Sequence, residues 1–206
     1  MLRLWGRTSS INVRKVLWTL QELGVPFERI DAGLAYGHNH TPDDLAKNPN
    51  ALVPLLEDGD FTLWESNAIV RYLCAKHAAA TLYPEDLRTR FDAERWMDWQ
   101  QTTLNRAGGP AFIQWIRTPA EQRQSVVIAK SVAATEPLLA LLDAHLARRP
   151  WMGGEQFTMA DIPIGCEIHR WWGLPQPRPA LPHLERWYAA VLARPAARGV
   201  LDLPLS

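Results

Sequence analysis

Val53-Pro54-Leu55-Leu56-Glu57-Asp58-Gly59-Asp60-Phe61-Thr62-Leu63-Trp64-Glu65-Ser66-Asn67 is the stretch on which the fold turns. Asp58-Gly59 between two apolar runs is a strong hairpin signal, because a tight two-residue turn needs residues that accept positive φ. The runs predict short strands over 54–57 and 61–64. Pro54 lacks an N–H and is tolerated only where a strand begins or at an edge. A helix then begins near Ser66, with Ile69, Val70, Leu73 and Cys74 on one face.

Upstream, Leu2 to Trp5 reads as a strand. Val13, Val16, Leu17, Leu20 and Leu23 recur at helical spacing, Gly24 offers a C-terminal cap, and Pro26 bars continuation. Phe27 to Ile30 restarts as a strand, which completes a βαβ unit and favours parallel pairing. Residues 31–52 are polar and loop-like, with at most one helical turn after Thr41-Pro42. Downstream of His77 the strand signals stop. Residues 1–77 therefore predict a small α/β domain, 78–87 a linker and 88–206 an all-helical domain. In the helical part, one helix is expected over 87–103, and Gly108-Gly109-Pro110 marks a kink or break. Thr118-Pro119-Ala120-Glu121 has the form of a capping box and predicts a helix running to Leu146, kinked or divided at Pro137. Thr158-Met159-Ala160-Asp161 resembles another capped start. Leu184, Trp187, Tyr188, Val191 and Leu192 define a final amphipathic helix.

Of the 206 residues, 47% are apolar, an ordinary share for a globular protein, and 22 basic residues balance 22 acidic ones. A neutral chain without a basic run argues against nucleic acid or an anionic membrane as partner. No secretion signal is read, and no apolar stretch approaches the roughly 20 residues of a membrane span. Cys74 and Cys166 both fall in apolar helical patterns, so two buried free thiols in a reducing cytoplasm are expected.

Asn48-Pro49-Asn50, Val53-Pro54, Asp58-Gly59, Trp64-Glu65-Ser66 and Ile69-Val70-Arg71-Tyr72-Leu73 together resemble the thioredoxin-like half of soluble glutathione transferases. Phe157-Thr158-Met159-Ala160-Asp161 resembles the opening of a late helix in the second half of that family, so the likeness covers nearly the whole chain. The resemblance implies a thioredoxin-like N-terminal domain, an all-α C-terminal domain, glutathione as co-substrate and no metal. It further implies a homodimer, with a small apolar electrophile held between the domains. In the family the Val-Pro bond is cis and leaves the Val53 backbone free to pair with glutathione, while Glu65 and Ser66 bind the γ-glutamyl end.

The resemblance places the thiolate donor at the start of the first helix. Ser10 lies four residues before Arg14, the spacing of the serine-type classes; a register on Lys15-Val16 favours Asn12, and Ser9 is a third choice. Ser9 or Ser10 would otherwise act only as a helix cap. Leu52 departs from the family, where a basic residue often precedes Val-Pro, which leaves Asn39 or His40 to meet the glycine carboxylate. Trp115 and Trp171, with Trp172, are expected at helix ends as an aromatic lining for the electrophile, whereas Trp18, Trp64, Trp96, Trp99 and Trp187 are expected in the core. Asp161 reads as a folding residue. Two other functions remain open: peroxide reduction, dehalogenation or isomerisation at the same site, and a non-catalytic binding module.

Overall fold

The computed structural model describes residues 1–77 and 81–206; residues 78–80 of the expected linker lie outside the described residues. Strand β1 (Leu2–Trp5), helix α1 (Ile11–Leu23) and strand β2 (Phe27–Ile30) form the expected βαβ unit, with β1 and β2 parallel. Helix α2 (Pro42–Lys47) follows, its N-terminus closed by a reciprocal capping box between Thr41 and Asp44, then β3 (Leu55–Asp58), β4 (Phe61–Trp64) and α3 (Ser66–His77). The sheet order is β2-β1-β3-β4, and β3 runs antiparallel to both of its neighbours. Leu2 and Leu4 of β1 alternate inward and meet Val13, Val16 and Leu20 of α1 and Ile69, Val70 and Leu73 of α3 in one core. Trp64, expected inside, is exposed at the end of the edge strand β4.

The helical half comprises α4 (Leu87–Trp99), α5 (Asn105–Phe112), α6 (Ser125–Leu146), α7 (Asp161–Trp172) and α8 (Pro182–Leu192). Between α4 and α5 the chain stays helical through a wider π turn at Gln100–Leu104, and a second π turn at Ile113–Arg117 follows α5. The Gly108-Gly109-Pro110 segment therefore does not break the helix. Instead Ser131 of α6 inserts its hydroxyl into the ladder of α5: the Ala111 N–H donates to Ser131 Oγ, which donates to the Ala107 carbonyl.

The 118–146 helix is corrected. Thr118 turns its hydroxyl back to the Ile113 carbonyl (3.0 Å), closing the preceding turn rather than opening the next. A single 3₁₀ turn at Ala120–Gln122 and two extended residues then separate it from α6. Pro137 lies inside α6 without dividing it. By length and composition α6 is long and apolar enough to cross a membrane, with 22 residues and a mean hydropathy of 1.6 over an 18-residue window, so the expectation that no stretch approaches that length is also corrected. Scattered Ser, Thr and Lys interrupt its apolar runs in sequence, yet Leu139, Leu142 and Leu146 are buried and the helix packs against α5 and α8.

The two halves meet where α1 lies against α7. A Cβ on Gly165 would stand 2.7 Å from the Trp18 ring, so only glycine allows this close approach. Trp18 is wholly buried in that contact.

Candidate active site

Ser10 occupies the N-cap of α1 with extended backbone (φ −90°, ψ 122°), yet its hydroxyl makes no capping hydrogen bond. That hydroxyl is thus uncommitted, although the residue is only 9% exposed. The first turn of α1 carries no acidic residue, so nothing there opposes an anion at the positive end of the helix. Arg14, one turn on, has a different task. It donates to the carbonyls of Thr8 (2.7 Å), Leu203 (3.2 Å) and Pro204 (2.6 Å), which fixes the loop before Ser10 and draws the C-terminal tail against it.

Two openings meet at this helix start. The larger is a cavity of about 410 Å³ lined by Ser9, Ser10 and Asn12 from the first half and by α5, the following π turn, α7 and the tail from the second. The smaller is a cleft lined by Asn12, Val53, Pro54, Trp64, Glu65 and Ser66. Asn12 borders both and accepts a hydrogen bond from Ser66 Oγ at 3.2 Å. All three donor candidates therefore reach the cavity, but only Asn12 is tied to the cleft by a side-chain bond.

Within the cleft the Val53-Pro54 peptide is cis. Val53 precedes β3, and among the described residues its N–H and C=O pair with no other group. Glu65 adopts φ 72°, a left-handed conformation that bulky residues rarely take and that costs about 1–3 kcal/mol. Its carbonyl accepts from the Ile69 N–H, so the strained residue opens α3, with Ser66 buried at the helix start. The structure does not bring Asn39 or His40 into this cleft. Asn39 Nδ2 is committed to the Ala51 carbonyl (2.7 Å) in a separate recess beside Trp5, and His40 is exposed.

Residues 1–75 match the glutathione S-transferase N-terminal domain and residues 125–190 the glutathione S-transferase C-terminal domain. Over 100% of both chains the sequence is 45% identical to glutathione S-transferase GstB of Escherichia coli strain K12. The chain belongs to the glutathione S-transferase family. It is also 32% identical to glutathione S-transferase 3 of Zea mays, over 99% of this chain and 95% of that one. The theta-class glutathione S-transferase of Xanthomonas axonopodis pv. citri, solved with glutathione bound, superposes with a TM-score of 0.96 at 44% identity, covering 100% of this chain and 99% of that one.

In this glutathione S-transferase the aromatic lining expected of the larger cavity is corrected. Neither Trp115 nor Trp171 lines it. Trp171 is buried between α7 and α5, where Gly108 lets its ring approach; a Cβ there would sit 3.2 Å from the indole. Trp115 is half-buried under the guanidinium of Arg123. The wall is made by Pro110, Phe112 and Ile113, together with Arg106, Arg117, His169 and Arg170. Arg106, Pro110, Ile113 and Arg117 recur at i, i+4, i+7, i+11, a helical stripe visible in the sequence.

Behind this wall lies a buried polar network. Lys15 of α1 is fully buried and donates to Gln101 (3.0 Å); its neighbour Gln100 donates to Glu167 (2.8 Å), which also pairs with Arg170. The π turn turns two consecutive glutamines inward to serve both halves of the molecule. Burial pushes the Lys15 ammonium down to about 8, against the pull of Glu167. A lysine whose folded pKa lies below its unfolded one loses its proton first in the folded state. Stability should therefore rise as pH climbs from about 8 to about 10.5. Urea midpoints at the two ends of that window should differ less in Lys15→Met than in the wild type; an equal rise in both would remove Lys15 as its source. Cys74 and Cys166 are free and buried, and burial pushes both thiols up to about 12. Neither is a ready nucleophile.

Proposed function

We propose that the chain binds glutathione in the cleft, holds its sulfur as thiolate at Ser10, and directs it at an electrophile in the adjoining cavity. The observation that carries this reading is the uncommitted hydroxyl of Ser10 at the positive end of α1, where cleft and cavity join. The cysteinyl backbone would pair with the N–H and C=O of Val53, like one rung of an antiparallel ladder. Glu65 would accept from the γ-glutamyl ammonium. Ser66 and the exposed N–H groups opening α3 would hold the neighbouring carboxylate. The geometry lends no support to Asn39 or His40 as ligands of the glycine carboxylate.

Glutathione and electrophile are then aligned by different halves of the chain, 1–77 and 88–206, and the reaction needs only thiolate and proximity. The first expected result concerns Glu65→Gln, which removes one charge from the cleft while keeping the shape. It should raise KM for glutathione about tenfold, the usual worth of a charge-assisted hydrogen bond, and change kcat little. Steady-state kinetics at fixed aryl halide measure both; an unchanged KM would remove Glu65 from the site. Pairing of two copies belongs to the same proposal, and exposed Phe61, Leu87 and Phe91 are the apolar surface it would cover. Sedimentation equilibrium reads the mass directly, and a monomer would end that part of it.

A further inference from the structure

The cavity beside Ser10 mixes apolar and basic side chains. Pro110, Phe112, Ile113 and Leu205 supply the apolar surface. Arg7, Arg14, Arg106, Arg117 and Arg170 also line it, and among the described residues no Asp or Glu side chain does. Two of these arginines are already answered: Arg14 by three backbone carbonyls, Arg170 by Glu167 and Asn105. Arg7, Arg106 and Arg117 take part in no salt bridge among the described residues.

Arg7 stands over Gly33, its Nη1 2.9 Å from where a Cβ would be, and its Nε is buried without a hydrogen-bond partner. Arg117 rests on the face of Phe112, 5.1 Å from the ring centre, and donates one hydrogen bond, to the Ser206 main-chain oxygen at 3.5 Å. Burial and then the charge of Arg117 lower the pKa of Arg7, and burial and then Arg170 lower that of Arg117. Like charges therefore converge on one partly enclosed space with an orphaned donor. Such an arrangement is unfavourable empty and becomes favourable when an anion enters it.

We propose that the second substrate is an anion, with an apolar ring-sized body against Phe112 and Ile113 and an acidic oxygen group, carboxylate or sulfonate, held by Arg7 and Arg117. This rests on the proposed function and names the substrate class of its second site. The reaction is an ordinary displacement. The thiol proton has passed to solvent, the sulfur lone pair forms the C–S bond, and the halide leaves with the electrons of the carbon–halogen bond.

Two probes test it: 4-(bromomethyl)benzoate and 4-(bromomethyl)benzamide, which share reacting carbon, leaving group and size but differ by one charge. With each rate divided by that of free glutathione, kcat/KM for the benzoate should exceed that for the benzamide about tenfold, and added salt should shrink the gap. Arg7→Gln and Arg117→Gln should each lower the benzoate rate about tenfold more than the benzamide rate, and Arg117→Lys, which keeps the charge, should retain most of the preference. Equal rates for the two probes would overturn the inference and leave the transferase reading standing. So would Arg variants that slow both probes alike while raising the pKa of bound glutathione, since the arginines would then serve the sulfur. Calorimetry with the unreactive 4-methylbenzoate and 4-methylbenzamide separates the remaining case. Preferential binding of the acid without turnover of either bromide would uphold the anion site and sink the proposed reaction; no preference would sink the site.

Discussion

Replacing Ser10 by alanine is expected to raise the pKa of bound glutathione by about two units and to lower kcat/KM for an activated aryl halide about 25-fold at pH about 7. A free thiol titrates near ~8.5, and only its anion attacks. Shifting that value down by about two units requires roughly 2.7 kcal/mol of preference for the anion. A hydrogen bond from a hydroxyl to a charged acceptor supplies about 1.5–3 kcal/mol, and the helix end adds roughly 0.3–1 kcal/mol. Ser10 at the N-cap of α1 combines the two, because its hydroxyl caps nothing and the first turn of the helix carries no carboxylate. The pH profile gives the sign. A depressed thiol pKa means activity is present above that pKa and is lost as pH falls through it. The alanine variant should therefore lose most between pH about 6.5 and about 8.5 and approach the wild type above about 9. KM for glutathione should change little, since the tripeptide is held elsewhere. Difference absorbance of the bound thiolate across pH measures the pKa without turnover. An unshifted pKa in Ser10→Ala would pass the role to Asn12 or Ser9. Asn12 is distinguishable, because its bond to Ser66 couples it to the cleft, so Asn12→Ala should also raise KM.

The first half was legible because its signals are local. The hairpin signal at Asp58-Gly59 is local, although the two-residue turn falls one position on, at Gly59-Asp60, where Gly59 takes φ 67° and Asp58 pairs with Phe61. Gly24 ends α1 at φ 62° for the same reason. What the sequence hid is decided by side chains that arrive from elsewhere. Thr118 has a capping-box spacing ahead of it, but the same hydroxyl can close the turn behind it, and packing chose the latter. The straight passage of α5 through Gly108-Gly109-Pro110 depends on a hydroxyl donated by α6, and nothing about Ser131 in isolation announces that insertion. Trp171 and Phe112 are both aromatic residues of helices that pack on each other beside the cavity. Which one lines the opening follows from how α5 and α7 are rotated, and Gly108 sets that by admitting the indole. The arginine stripe at 106 and 117 is present in the sequence, but Gly108-Gly109-Pro110 between the two reads as a kink or break, which hides the helical spacing.

Asp161→Ala is expected to cost about 3–5 kcal/mol of stability, a large part of the 5–15 kcal/mol available to a typical domain. Asp161 is fully buried at the start of α7 and accepts from three N–H donors, those of Met152 (2.9 Å), Thr158 (2.9 Å) and the Trp187 indole (2.8 Å), and from the Thr158 hydroxyl (3.5 Å). It thus ties the loop before α7, the helix start and α8 to one carboxylate. Burial pushes that carboxyl up to about 6 in spite of these donors, so at pH about 7.5 it is still ionised. Removing it orphans three buried N–H groups, each worth roughly 1–3 kcal/mol if left dry, and water entering the vacated space recovers part of the loss. Asp161→Asn gives a graded control. Its oxygen can keep Met152 and Trp187, which share Oδ1, while its amide meets the Thr158 N–H donor to donor. The asparagine variant should therefore fall between wild type and alanine, losing about 1–3 kcal/mol. Urea unfolding followed by circular dichroism measures all three, with the midpoint shifting and the slope unchanged. A loss below about 1 kcal/mol in Asp161→Ala would show that the three donors find water without penalty. Because α7 also presents His169 and Arg170 to the cavity, loosening its start should weaken electrophile binding before it weakens the hold on glutathione, which belongs to the other half of the chain.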